Sequence, residues 1–242
     1  MKIPLVYIPK SKLKKFLHIE KRFRSQNTII PIGCDCHPAY SLQKLHIRTQ
    51  SFPFDWLNTS ASKGILYVDN NIVVGFKYFL EDLTVNDHGN VISTHYPYAE
   101  FIHEKNLATT KDSQLKFTRR IKRFQQALQE ETISFIYNIP VAQIINEVEA
   151  EELITSITTF VAQLKKSHHL HIYLRYDESE DENADLANTL FAALQNTKSV
   201  TIVKYVRQLK KYGIWGNKHQ YPDLFKKLGI PIKQTFPKIY IK

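Results

Sequence analysis

Ile29-Ile30-Pro31-Ile32-Gly33-Cys34-Asp35-Cys36-His37-Pro38 is the stretch on which the reading of this chain turns. A β-branched run that stops at a glycine and restarts behind a proline spells strand, tight turn and helix. Proline fits the first helical turn, and glycine tolerates the compact backbone before it. The stretch predicts a strand over 29–33 and a helix from Pro38 to Leu45. Cys36 then sits beside a helix N-terminus, where unpaired amides and the positive end of the helix dipole favour the nucleophilic thiolate. Cys34 is expected to be structural, because the C-x-x-C spacing of a redox pair is absent.

Working outward, the pattern becomes regular after residue 115. Phe117, Ile121, Phe124 and Leu128 share one face of a basic helix, and Thr132–Ile139 reads as a buried strand. Leu153, Ile157, Phe160 or Val161, and Leu164 mark a second helix, acidic at Glu147–Glu152 and basic at Lys165-Lys166, the polarity its dipole favours. Leu170–Tyr176 (strand), Asp181–Leu194 (helix) and Val200–Val206 (strand) follow. Strands alternating with helices imply crossovers and parallel pairing. The expected fold is α/β: a three-layer α/β/α sandwich with a mainly parallel sheet, flavodoxin- or SGNH-like, with Cys36 at the carboxyl edge where such sheets bind ligands. A basic N-terminal segment, 1–27, is expected to precede a single α/β domain, 28–242. A loop-rich insertion is expected over 57–115, with short strands at Ile72–Tyr78 and Val91–His95. In the N-terminal segment, Leu13, Phe16, Ile19 and Phe23 are spaced for an amphipathic helix, docked on its own domain or lying on an anionic membrane.

The formal net charge of +10 comes mostly from two clusters: Lys10, Lys12, Lys14, Lys15, Lys21, Arg22 and Arg24, and Lys116, Arg119, Arg120, Lys122 and Arg123. Such a balance favours polyanionic partners. Nucleic acid ranks below anionic glycan or lipid, because no reader motif accompanies the charge. Only 7 glycines occur, with neither a dinucleotide fingerprint nor a P-loop, so no cofactor is expected. Two cysteines one residue apart are poorly placed to bridge, and no second cysteine knuckle or H-x-x-x-H pair completes a zinc site, so no metal is expected. A reducing cytoplasm is the compartment that cysteine usage suggests, with peripheral contact at the inner face of the membrane. No run reaches the ~18 apolar residues of a membrane helix, and the first residues lack the apolar run of a signal peptide.

Ile32-Gly33-Cys34-Asp35-Cys36, Leu45-His46-Ile47-Arg48 and Ser51-Phe52-Pro53-Phe54-Asp55-Trp56 together resemble a bacterial family of papain-like cysteine peptidases. Its pattern is L-G-x-x-C, L-R and S-x-P-F-D-W. Phe101-Ile102-His103-Glu104 is similar to the family's aromatic-histidine-acid element, with Glu104 where the family usually has aspartate, and Arg119-Arg120 to Phe124 resembles its R-R-x-x-R-F stretch. The likeness spans residues 28 to 140. A papain fold joins a helical half to an antiparallel one, whereas this chain alternates, so the α/β expectation stands over the name.

The resemblance implies Cys36 as nucleophile and His103 as general base, an imidazole able to take a thiol proton and return it to a leaving group. His219 is the alternative base, while His37 is expected to point away. Asp55 is expected either to orient the histidine, as the third member of a triad does, or to cap a turn. Arg48, Asp35, Trp56, Arg119 and Arg120 are candidate substrate-binding residues. Arg48 could equally form a buried ion pair, Asp35 a helix cap, and the aromatics a core. The expected function is that of a thiol-dependent hydrolase or acyl/glycan-modifying transferase. Family members tend to accompany surface-polysaccharide genes, which implies an anionic glycan or lipid-linked substrate. The alternative is a non-catalytic binding protein of an envelope polysaccharide assembly or anionic membrane surface.

Overall fold

A computed structural model of the chain describes residues 2–7, 14–129, 132–181 and 183–242. In chain order, β1 (Lys2–Tyr7), β2 (Lys14–Ser25) and β3 (Thr28–Pro31) lead into α1 (His37–Lys44). The middle of the chain forms β4 (Asn58–Thr59), α2 (Gly64–Val73), β5 (Leu83–Val85), β6 (Val91–Ser93), β7 (Tyr96–Phe101) and α3 (Lys111–Ala127). Then come β8 (Ile133–Pro140), α4 (Glu147–Gln163), β9 (His169–Tyr176), α5 (Ala184–Leu194), β10 (Val200–Val206), α6 (Leu209–Tyr212), α7 (Tyr221–Lys227) and β11 (Ile232–Ile241).

The fold is mixed α/β around a parallel four-stranded sheet, order β10-β9-β8-β3. β8 is buried along its whole length, as a strand covered on both faces must be. Phe135, Tyr137 and Ile139 point into one apolar cluster with Leu153, Ile157 and Phe160 of α4 and Leu190 of α5. Ile136 points into a second with Leu42 of α1 and Tyr221, Leu224 and Phe225 of α7. The strands follow one another in sequence order without reversal, so the described sheet has no topological switch point and differs from the flavodoxin order. α4 starts as its sequence suggests: Asn146 accepts the Glu149 N–H at 2.9 Å, and Glu149 in turn accepts from Ile145 at 3.0 Å.

Two local expectations are corrected. Phe16, Ile19 and Phe23 lie on a strand rather than a helix, because β2 pairs antiparallel with β1 on one side and β11 on the other; Leu13 lies outside the described residues. Ile72–Tyr78 is no strand: Ile72 and Val73 end α2, and Phe76 follows with φ 64°, a turn conformation. Val91–Ser93 does pair, within a small antiparallel sheet of order β4-β7-β6-β5. Its hydrophobic side and α2 join the same cluster as β8 through Phe54, whose ring packs on Tyr67, Phe76, Phe79 and Phe124.

Candidate active site

Gly33 closes the strand-to-helix turn, for reasons of space rather than of unusual φ: a Cβ there would lie 2.4 Å from Asn138 Oδ1 and 2.6 Å from Pro38 Cγ. The turn lies at the carboxyl end of the parallel strands. Asp35, one residue before the helix N-cap Cys36, is held from three directions. It accepts the His37 N–H at 2.9 Å and Asn138 Nδ2 of β8 at 3.0 Å, and it pairs with Arg175 of β9. Burial works to raise the Asp35 carboxyl, yet the Arg175 guanidinium outweighs it and holds the group below the usual range.

His103 arrives from the turn that follows β7. Phe101 anchors the strand end against Phe79 and Phe117, with ring centroids 5.5 and 5.3 Å away. Glu104 pins the turn to α3 through Lys116 at 2.5 Å and Arg120 at 3.8 Å. The imidazole is exposed, and its Nε2 lies 3.5 Å from Cys36 Sγ. The Trp56 ring meets it edge-on, centroids 5.9 Å apart. Cys36 itself is 7% exposed.

The sulfur's surroundings oppose a resting thiolate. Burial, then the negative charges of Asp35 and Asp55, push the Cys36 thiol up to about 12, against the helix-terminus expectation. The reason is local: the anion at this helix N-terminus is the Asp35 carboxylate, which already takes the His37 amide. Cys34 is buried, donates to the Asn138 carbonyl at 3.3 Å, and is raised well above the thiol range by burial.

The structure brings Cys36 and His103 together and distributes the other candidates around them. Asp55 is not hydrogen-bonded to His103. Its Oδ2 accepts from Arg48 Nε at 3.2 Å, from Arg48 Nη2 and from the Phe52 amide at 3.0 Å, while Oδ1 is buried without a partner among the described residues. Burial raises its carboxyl despite Arg48. Arg48 also binds Ser51 Oγ at 2.9 Å and lies over Trp56, 5.3 Å from its centroid, so it organises the segment in place of a free carboxylate or phosphate clamp. Arg123 grips the Ser51 carbonyl at 2.9 and 3.1 Å. Arg120 is buried against Glu104, and Arg119 is exposed. His37 points away as expected, Nδ1 2.7 Å from Tyr173 Oη. His219 lines a separate cleft with Lys44 and His46.

Arg175 and Asn138 escape sequence reasoning, although a charge and an amide inside two largely apolar, buried strands are the signal that finds them: polar groups go there only when paired. Among the described residues no cluster of three or more His, Cys, Asp or Glu could hold a metal ion.

Comparison with known proteins yields no match among the curated proteins and none among the solved structures. Residues 27–178, well over half of the chain, match the family described as "Putative papain-like cysteine peptidase", and the chain belongs to that family.

Proposed function

We propose that this protein is a thiol hydrolase in which Cys36 is the nucleophile and His103 the base that takes its proton during attack. The observation that carries this reading is the 3.5 Å approach of Cys36 Sγ to an exposed imidazole. Because the thiol is held protonated, the chemistry follows general-base logic rather than that of a preformed thiolate. As the Sγ–C bond forms to an acyl carbon, the thiol proton passes to His103 Nε2 and the carbonyl electron pair moves to oxygen. Collapse expels the leaving group, which takes the proton back from His103. Water then attacks the thioester, again giving its proton to His103, and the proton returns to the departing sulfur. If a glycan hydroxyl replaces water, the same cycle is an acyl transfer. The developing oxyanion is assigned to the Cys36 N–H, since the His37 N–H is already bonded to Asp35.

An acylated anionic glycan or its lipid-linked precursor is the substrate class we favour. Its support is the basic helix α3, whose Lys116 and Arg120 meet Glu104 beside His103 and whose Arg119 and Lys122 are exposed. The placement of Cys36 after a parallel strand supports an SGNH-like arrangement with sulfur in the place of oxygen. A p-nitrophenyl ester tests the chemistry. Cys36→Ala abolishes turnover and acyl-enzyme formation, and His103→Ala lowers turnover about 100-fold or more. Undiminished turnover by folded Cys36→Ala would overturn the reading.

A further inference from the structure

The three-stranded sheet β1-β2-β11 carries eight lysines and arginines against one acid, most of the protein's net charge of +10. Residues 1–25 and 232–242 carry eleven lysines and arginines against one acid, Glu20, and residues 26–231 carry 22 of each sign. Partners in an antiparallel register share a face, so the two faces of this sheet can be read directly. On one, Lys2 lies over the Phe16 ring, His18 stacks on Tyr240 with centroids 5.0 Å apart, and the Tyr240 hydroxyl donates to Glu20 at 2.6 Å. Those contacts tie its side chains to one another.

The other face begins at the body of the protein, where Phe23 and Ile232 pack into the cluster with α7, passes Ile19 and Lys21 in a cleft they share with Lys44 and Lys218, and runs outward to exposed residues. Ile3 pairs with Leu17 and Leu17 with Ile241, Ile19 pairs with Ile239, and Val6 pairs with Lys15. Ile3 is 37%, Val6 44%, Ile239 59% and Ile241 60% exposed. Phe236, in the irregular stretch of β11 between Thr235 and Lys238, is 93% exposed. Lys15 and Lys21 share this face and are exposed, while Lys14, Arg22, Arg24, Lys233 and Lys238 alternate onto the opposite one.

We propose that this sheet is a docking surface for an anionic lipid bilayer, with the isoleucine stripe and Phe236 entering the interfacial region and Lys15 and Lys21, on the same face, meeting lipid phosphates. An apolar strip rimmed by cations is the pattern by which interfacial segments bind anionic membranes, here carried on strands in place of a helix. A second copy of the chain is a poor occupant, because pairing these faces brings two sheets of like charge together. Nucleic acid accounts for the lysines and leaves the isoleucines unused.

The test is co-sedimentation of the full chain with phosphatidylcholine vesicles containing about one third phosphatidylglycerol, against pure phosphatidylcholine. Binding is expected only to the anionic vesicles and is expected to fall steeply with salt. Ile239→Asp with Ile241→Asp, both at exposed positions, weakens it about tenfold or more, and so, separately, does Lys15→Glu with Lys21→Glu. Neither pair changes ester turnover in solution, so this outcome is independent of the Cys36 chemistry. Absence of binding to anionic vesicles, binding indifferent to the isoleucine changes, or a dimer in solution that the isoleucine changes dissolve would each overturn the proposal.

Discussion

Cys36 is pulled two ways: His103 stands ready to accept its proton, while burial and two carboxylates make the thiolate costly. Alkylation by iodoacetamide reads the balance. Its rate at Cys36 is expected to keep rising through the alkaline range toward pH 12, where an activated thiolate would level off below ~8.5. Asp35→Asn moves that profile to lower pH by removing one of the carboxylates. It also leaves Arg175 buried beside a neutral amide, so it lowers stability as well. Gly33 makes a second residue-scale test. Alanine there forces Asn138 or Pro38 to move, and since both brace the turn, Gly33→Ala is expected to cost about 1–3 kcal/mol in urea unfolding. The Cys–His pairing was legible through motif resemblance. The electrostatics were not, because Asn138 and Arg175 reach Asp35 from positions 103 and 140 residues away.

Among the elements, those whose burial is complete announced themselves. β8 and β9 read as largely apolar runs, and α3 and α4 showed the helical period. β2 did not: apolar residues three or four apart, among lysines, fit a helix as well as a strand, and the deciding partner, β11, lies at the other end of the chain. β11 itself was hidden by Pro231 and Pro237 and by the polar residues between them. The interruption at Phe236-Pro237 falls where the register with β2 shifts, which is how the strand accommodates a proline. Removing residues 231–242 is therefore expected to abolish hydrogen-exchange protection of backbone amides over 17–25 while leaving β8 and β9 protected, since β11 contributes little to either main cluster.

For the molecule as a whole, the buried histidines set the response to acid. Burial, reinforced by Arg175, drives His37 down to about 3, and burial drives His171 down to about 4. Both values lie below the ~6.5 of an unfolded chain. The unfolded state therefore binds more protons below that pH. The stabilising contribution of the neutral rings is complete above ~6.5 and is lost as pH falls toward 3–4, by at most about 1.4 kcal/mol per pH unit for each ring. Urea midpoints measured at about pH 7.5 and about pH 5 should separate accordingly, and His37→Phe should reduce the difference.

The joining of the first strands to the last has a temporal consequence. Glu20 and Tyr240 are 220 residues apart, so during synthesis on the ribosome the growing hairpin must wait for all the intervening residues before its second partner emerges. Throughout that interval one border of β2 offers unsatisfied amides and carbonyls to any neighbouring nascent chain. The lysines crowding it then act as a guard, keeping sister chains apart by mutual repulsion until the terminal strand closes the gap.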